Sequence, residues 1–225
     1  MLEGKGLLTP LQRAFLDVFV KIPDQEQFYM TGGTALAEYY LGHRQSFDLA
    51  LFTSVESLII PVSHQVEKAC ALQEFQLSVT RRFASYVDFL VTHGEEQVRV
   101  DLALDSPFRF ADPVLVAPGI HVSSFPDIRI DKLLAYYGRA EPRDAVDLFF
   151  IFKNDHPRTL MRQAAEKDPG FDRYWFAVAL NQVEDFPDEI LRWPVKMITP
   201  FDPGEIKTLF KQPALEIMRE IEDGG

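Results

Sequence analysis

The sequence predicts an α+β fold, with a mixed sheet flanked by helices and then a mostly helical C-terminal half. Up to about residue 122, short apolar segments of period two alternate with segments of helical period. From about residue 123 only helical periodicity recurs. The chain has 225 residues, is 47% hydrophobic and contains 19 Phe, so it can bury a substantial core. The expected organisation is an α+β module over 1–122 and a helical region over 123–225 packed on it.

Thr9 and Pro10 carry a helix start, and Leu11, Phe15, Val18 and Phe19 recur at helical spacing until Pro23 and Asp24. Phe28, Tyr29 and Met30 form a short apolar strand that runs into Thr31-Gly32-Gly33-Thr34. A helix is expected over Ala35 to Leu41, stopped by Gly42. Asp48 to Phe52 reads as a strand. Val55 to Leu72 reads as a helix, with Pro61 arguing for a break inside it. Strands follow over Phe75 to Arg82, Ser85 to Thr92 and Val98 to Leu104, the last with clean alternation. Residues 105–119 hold three prolines and Gly119, which predicts loop or edge strand. Helices are then expected over Asp127 to Tyr137, Asp144 to Phe152, Phe171 to Gln182 and Pro213 to Glu222. In the third, Phe171, Trp175 and Val178 form the apolar stripe.

Composition narrows the function. With 23 basic against 34 acidic residues the net charge is −11, which disfavours general nucleic-acid binding but leaves room for a local basic groove. One cysteine, Cys70, excludes an internal disulfide and suits a reducing compartment; it reads as a buried small hydrophobe. The N-terminal MLEGKGLLTPLQRAF lacks the pattern of a signal peptide. No apolar run approaches ~20 residues, so no membrane partner is expected and the location expected is cytoplasmic. His64, His93 and His121 lack metal-ligand spacing.

Three groups of residues point to chemistry. Gly32, Gly33 and Thr34 lie between a strand and a helix, where bare backbone can approach a phosphate and the helix N-terminus favours negative charge. Asp48 and Asp101 sit on strands whose other face is apolar, and by alternation Asp48 shares a face with Ala50, and Asp101 with Arg99 and Ala103. A carboxylate there requires an ion pair, a cation or a solvated face. Lys132, Arg139, Arg143, Asp144 and Asp147 form the third group, which taken singly could be a salt-bridged helix surface.

Together these groups resemble the AbiEii-type nucleotidyltransferase toxins, members of the polymerase-β-like nucleotidyltransferase superfamily. The resemblance rests on Tyr29-Met-Thr-Gly-Gly-Thr-Ala-Leu-Ala-Glu-Tyr-Tyr-Leu-Gly-His-Arg-Gln-Ser-Phe-Asp48, on Asp127-Ile-Arg-Ile-Asp-Lys132, and on Arg143-Asp144-Ala-Val-Asp147-Leu. It spans about residues 28–152. It implies that Gly32, Gly33 and Thr34 hold nucleotide phosphates and that Asp48 and Asp101 are metal carboxylates. It further implies that Lys132 contacts the triphosphate and that Asp144 and Asp147, with Arg143, form the late acidic motif. Asp48, Asp101, Lys132 and Asp144 are thus the expected catalytic residues. The implied cofactor is Mg²⁺. The implied partners are an NTP, an RNA or protein acceptor, and an antitoxin protein. His43, Arg44 and Ser46 fit a loop of the family pattern without an assigned role.

Ala50 departs from that pattern, which places a second acid there. Mg²⁺ takes oxygen ligands and neutralises the phosphoryl group in transfer, so one lost carboxylate weakens the metal set. Neither Glu56 nor Asp105 has the strand phase to replace it. Three expectations therefore stand: transfer of NMP from an NTP to an acceptor hydroxyl, a catalytically degenerate nucleotide- or partner-binding protein of the same fold, or a structural or interaction protein in which the motif residues are relics of the fold.

Overall fold

Thr9 caps the first helix, α1 (Pro10–Phe19). Its hydroxyl accepts from the Gln12 backbone N–H (3.2 Å), and the Gln12 side chain accepts from the Thr9 N–H (2.9 Å). Strand β1 (Tyr29–Thr31) passes directly into α2 (Gly32–Ala35). That helix begins three residues before the position expected from sequence and continues as a π-helical turn, Leu36–Leu41. Gly42, at φ +70°, closes it, its N–H bonding the Ala37 carbonyl at 2.9 Å.

A two-residue strand, β2 (Arg44–Gln45), precedes β3 (Leu49–Thr53). The break expected at Pro61 is absent. A 3₁₀ turn over Glu56–Leu58 leads into α3 (Ile59–Leu72), and Pro61 falls in the first turn, where its missing N–H costs no helical bond. Strands β4 (Gln76–Phe83), β5 (Tyr86–His93) and β6 (Glu96–Leu104) follow, then β7 (Val114–Val116) and β8 (Ile120–Val122). β8 has only three residues, too few to show a period in sequence.

The computed structural model describes residues 2–223, in two compact units that meet in sequence at Phe125 and Pro126. The first holds a seven-stranded sheet of order β4-β5-β6-β3-β1-β8-β7. β3 runs parallel to β6 and β1 parallel to β8, and the remaining pairs are antiparallel. Helix α3 packs on β4, β5 and β6, and α1 on α3 and β6. The sheet face beneath them is a dry layer of Leu49, Leu51, Val87, Phe89, Val98, Val100 and Leu102. Full burial of each such side chain contributes roughly 1.5–3 kcal/mol. The residues between them, including Ala50, Asp88, Arg99 and Asp101, project from the opposite face.

The second unit contains α4, which starts at the junction (Phe125–Arg139), then α5 (Pro142–Phe152), α6 (Pro157–Lys167), α7 (Arg173–Asn181), a two-residue strand β9 (Lys196–Met197) and α8 (Pro203–Asp223). Tyr136 and Phe152 pack their rings on Phe210 at 5.3 and 5.5 Å. Sequence periodicity gave no sign of α6, whose buried side is only Leu160, Met161 and Ala164. Trp175 is 60% exposed, contrary to the stripe expected for α7. Asp172 caps that helix, the apolar stripe falls on Phe176 and Leu180, and Phe171 precedes it. Helix α8 starts ten residues before the expected Pro213, which lies buried inside it. Among the described residues, no helix is long and apolar enough to cross a membrane.

Candidate active site

The glycine turn is built to stay thin. Gly32 adopts φ +75°, a conformation that costs an L residue roughly 1–2 kcal/mol. A Cβ on Gly32 would lie 3.4 Å from the Ala50 methyl, so the turn sits directly over position 50. Gly33 answers to a different neighbour: a Cβ there would come within 2.4 Å of Arg44 Nη2 and 3.0 Å of Ser46 Oγ. This gives the Arg44 loop a structural role, since its buried guanidinium presses on the bare side of the turn. The Thr34 hydroxyl donates to the Asp48 carbonyl, tying the turn to the entry of β3.

Strand register sets the acids in a row. Thr31 faces Ala50, Ala50 faces Asp101, and Asp101 faces Asp88. In-register side chains share a face about 5 Å apart. Asp48 lies two residues before Ala50, and its charge acts on Asp101. The Tyr86 hydroxyl donates to Asp101 Oδ1 at 2.7 Å, and Arg99 Nε lies 3.6 Å from the same oxygen. Burial raises the Asp101 pKa above the usual carboxylate value; the Tyr86 bond and the Arg99 charge oppose this, and the Asp88 and Asp48 charges reinforce it. Asp88 is buried and receives two bonds from Arg99, Nε to Oδ1 at 3.0 Å and Nη2 to Oδ2 at 2.6 Å.

Neither Asp105 nor Glu56 substitutes for an acid at Ala50. Asp105 accepts from the Tyr29 hydroxyl and lies 3.8 Å from Arg109, and Glu56 is in the exposed 3₁₀ turn after β3. Among the described residues, no group of three or more His, Cys, Asp or Glu side chains is placed to hold a metal ion. The charges of Asp48 and Asp101 do act on one another, and a Mg²⁺ ion is commonly held by one or two carboxylates with substrate phosphates and water. The two acids fall short of a two-metal set.

The late motif is assembled within the second unit. Lys132 Nζ lies 2.7 Å from Asp147 Oδ2 and 3.8 Å from Asp144 Oδ1, and both carboxylates are fully buried. Arg139 clasps Asp144 with Nε and Nη2 at 2.6 and 2.9 Å. Arg143, next to Asp144 in the motif, bonds Glu141 at 2.8 Å. Burial, helped by the Asp144 charge, pushes the Tyr136 phenol well above its usual pKa.

The remaining singled-out residues follow their structural expectation. Cys70 is fully buried, which pushes its thiol up to about 11. His64 and His93 are exposed. Tyr86 and Asp88, at the acid row, and Glu38, on the helix of the glycine motif, were not singled out from sequence, and Arg99 was placed on the face of Asp101 without its pairing to Asp88. A signal for Asp88 was present, because Tyr86-Val-Asp-Phe-Leu-Val91 places an acid in an apolar strand much as Val98 to Leu104 does.

A glycine turn between strand and helix, set over neighbouring strands β3 and β6, with Asp48 at the entry of the first and Asp101 within the second, defines a protein of the nucleotidyltransferase fold. The profile described as "Nucleotidyl transferase AbiEii toxin, Type IV TA system" matches residues 14–192. The chain belongs to this AbiEii nucleotidyl transferase toxin family. Two solved structures share its fold. A candidate nucleotidyltransferase from H. pylori superposes with a TM-score of 0.62 at 17% identity, over 97% of this chain and 99% of that one. JHP933 from Helicobacter pylori gives 0.58 at 17% identity, over 94% and 92%. No curated protein matches the chain in sequence.

Proposed function

We propose that this chain binds an NTP at its glycine turn and transfers the nucleoside monophosphate to an acceptor hydroxyl, as the toxin half of a toxin–antitoxin pair. The observation that carries this reading is the register of Thr31, Ala50 and Asp101 beneath Gly32. It supports a phosphate cradle and carboxylates on one patch of the sheet. Asp48 and Asp101 would hold a single Mg²⁺, which when bound supplies charge neutralisation at the triphosphate. Gly32, Gly33 and Thr34 would receive the phosphates on backbone N–H groups.

The chemistry would be one displacement. The acceptor oxygen bonds to the α-phosphorus, the bond to the bridging oxygen breaks, and pyrophosphate leaves. Asp101, which faces Ala50 beneath the glycine turn, would take the acceptor's proton. Lys132 is assigned to the triphosphate, and Asp144 to the late acidic motif, by their match to the family pattern. Their ion pairs support a positioned rather than a mobile lysine. RNA or protein is the acceptor class, and an antitoxin protein the regulatory partner.

Ala50 favours a second reading, a nucleotide- or partner-binding protein without turnover. Labelled NTPs, Mg²⁺ or Mn²⁺ and total RNA or protein extract, incubated with this chain and with Ala50→Asp, separate the two. Labelling by the chain as it stands supports transfer. Labelling by Ala50→Asp alone makes position 50 the switch and supports the second reading. If neither labels an acceptor although both bind NTP, the transfer reading is overturned.

A further inference from the structure

Arg99 brings a fixed positive charge to the acid row. Its guanidinium is bonded to both oxygens of the buried Asp88, and its Nε lies 3.6 Å from Asp101 Oδ1. Asp101 stands in register between Asp88 and Ala50. One guanidinium therefore bridges two acids of the row, on the side of Asp101 away from the methyl that replaces a carboxylate. The Arg99 side chain is 43% exposed, so its charge is also felt at the open surface of the sheet.

We propose that Arg99 is an internal cation that competes with divalent metal for Asp101, so that Arg99 and Ala50 together set how weakly this chain binds Mg²⁺. The proposal rests on the reading of Asp48 and Asp101 as metal ligands. The physical reason is like-charge repulsion: a guanidinium in contact with a ligating carboxylate opposes an arriving dication. Tyr86 acts differently. Its neutral hydroxyl fixes the rotation of Asp101 without opposing the ion, so it is a positioning residue.

Mn²⁺ is the probe, with free ion measured by electron paramagnetic resonance at constant ionic strength. Arg99→Gln is expected to bind Mn²⁺ about tenfold tighter than the unaltered chain, the change that about 1.4 kcal/mol of relieved charge repulsion produces. Asp88 would then be a buried acid without its cation, which risks the fold. Arg99→Gln with Asp88→Asn removes that risk, and a smaller gain in the same direction is expected. Asp101→Asn in either background should abolish the gain. A merely structural Arg99 would leave Mn²⁺ affinity unchanged or lower it, and either result in folded protein overturns the proposal. Ala50→Asp serves as the reference. If it gains a Mn²⁺ site while neither Arg99 variant does, the competition by Arg99 is wrong and the ligand assignment stands. If no variant gains a site, both fail.

Discussion

Lys132 Nζ lies 2.7 Å from Asp147 Oδ2, joining α4 to α5, with the lysine side chain 8% exposed and the carboxylate fully buried. The lysine that the family pattern assigns to the triphosphate is therefore also part of the scaffold. Breaking a buried pair by removing one partner costs about 3–5 kcal/mol, because a charge is left without compensation. Lys132→Met is expected to lose stability on that scale in urea unfolding. Lys132→Met with Asp147→Leu should recover much of it. Full stability in the single variant would show that the pair is energetically idle.

The Gly33–Arg44 contact gives a coupled prediction. Gly33→Ala places a methyl where Arg44 Nη2 lies and should cost about 1–3 kcal/mol by overpacking. Arg44→Ala in the same chain removes the clash, so the two changes should be less than additive in thermal melts. Gly32→Ala provides the contrast, since its cost comes from φ +75° and should not respond to Arg44→Ala.

Asp101 gives the pH dependence. Its folded pKa is raised, chiefly by burial, so the folded state holds this proton more tightly than the unfolded state. Stability then falls as pH rises from the unfolded value through the folded one, and the ionised carboxylate is a net burden at neutral pH. Asp101→Asn is expected to melt higher than the unaltered chain at pH 7. The difference should shrink as the pH is lowered toward 4. A lower melting temperature at pH 7 would mean that the Tyr86 and Arg99 contacts outweigh desolvation.

Glu38 anchors the N-terminal segment to the helix of the glycine motif. Its buried carboxylate accepts from the backbone N–H groups of Gly6 and Leu8 at 3.1 Å each, and from that of Leu7. Glu38→Ala should leave these donors without their acceptor, at about 1–3 kcal/mol. Amide hydrogen exchange should accelerate at Gly6 to Leu8, with little change in β3 and β6. Unchanged protection at those three amides would remove Glu38 as the anchor.

By itself, the sequence determined the α+β class, most helix and strand positions, the glycine turn, and the absence of an acid at position 50. Those features are local: capping by Thr9, alternation in Val98 to Leu104, and a glycine pair between strand and helix are written in neighbouring residues. Tertiary structure alone decided which residues meet. Arg44 comes to Gly33 from eleven positions downstream, and Tyr86 reaches Asp101 across a strand pair. Asp88 joins the acid row only through the β5–β6 register, and Lys132 finds Asp147 only once α4 and α5 pack. Elements of weak or short period, such as β8 and α6, were equally invisible, since tertiary packing rather than local pattern fixes them. A residue's periodicity shows which way it faces, but its partner depends on register and packing, and these form only when the whole chain buries its apolar faces at once.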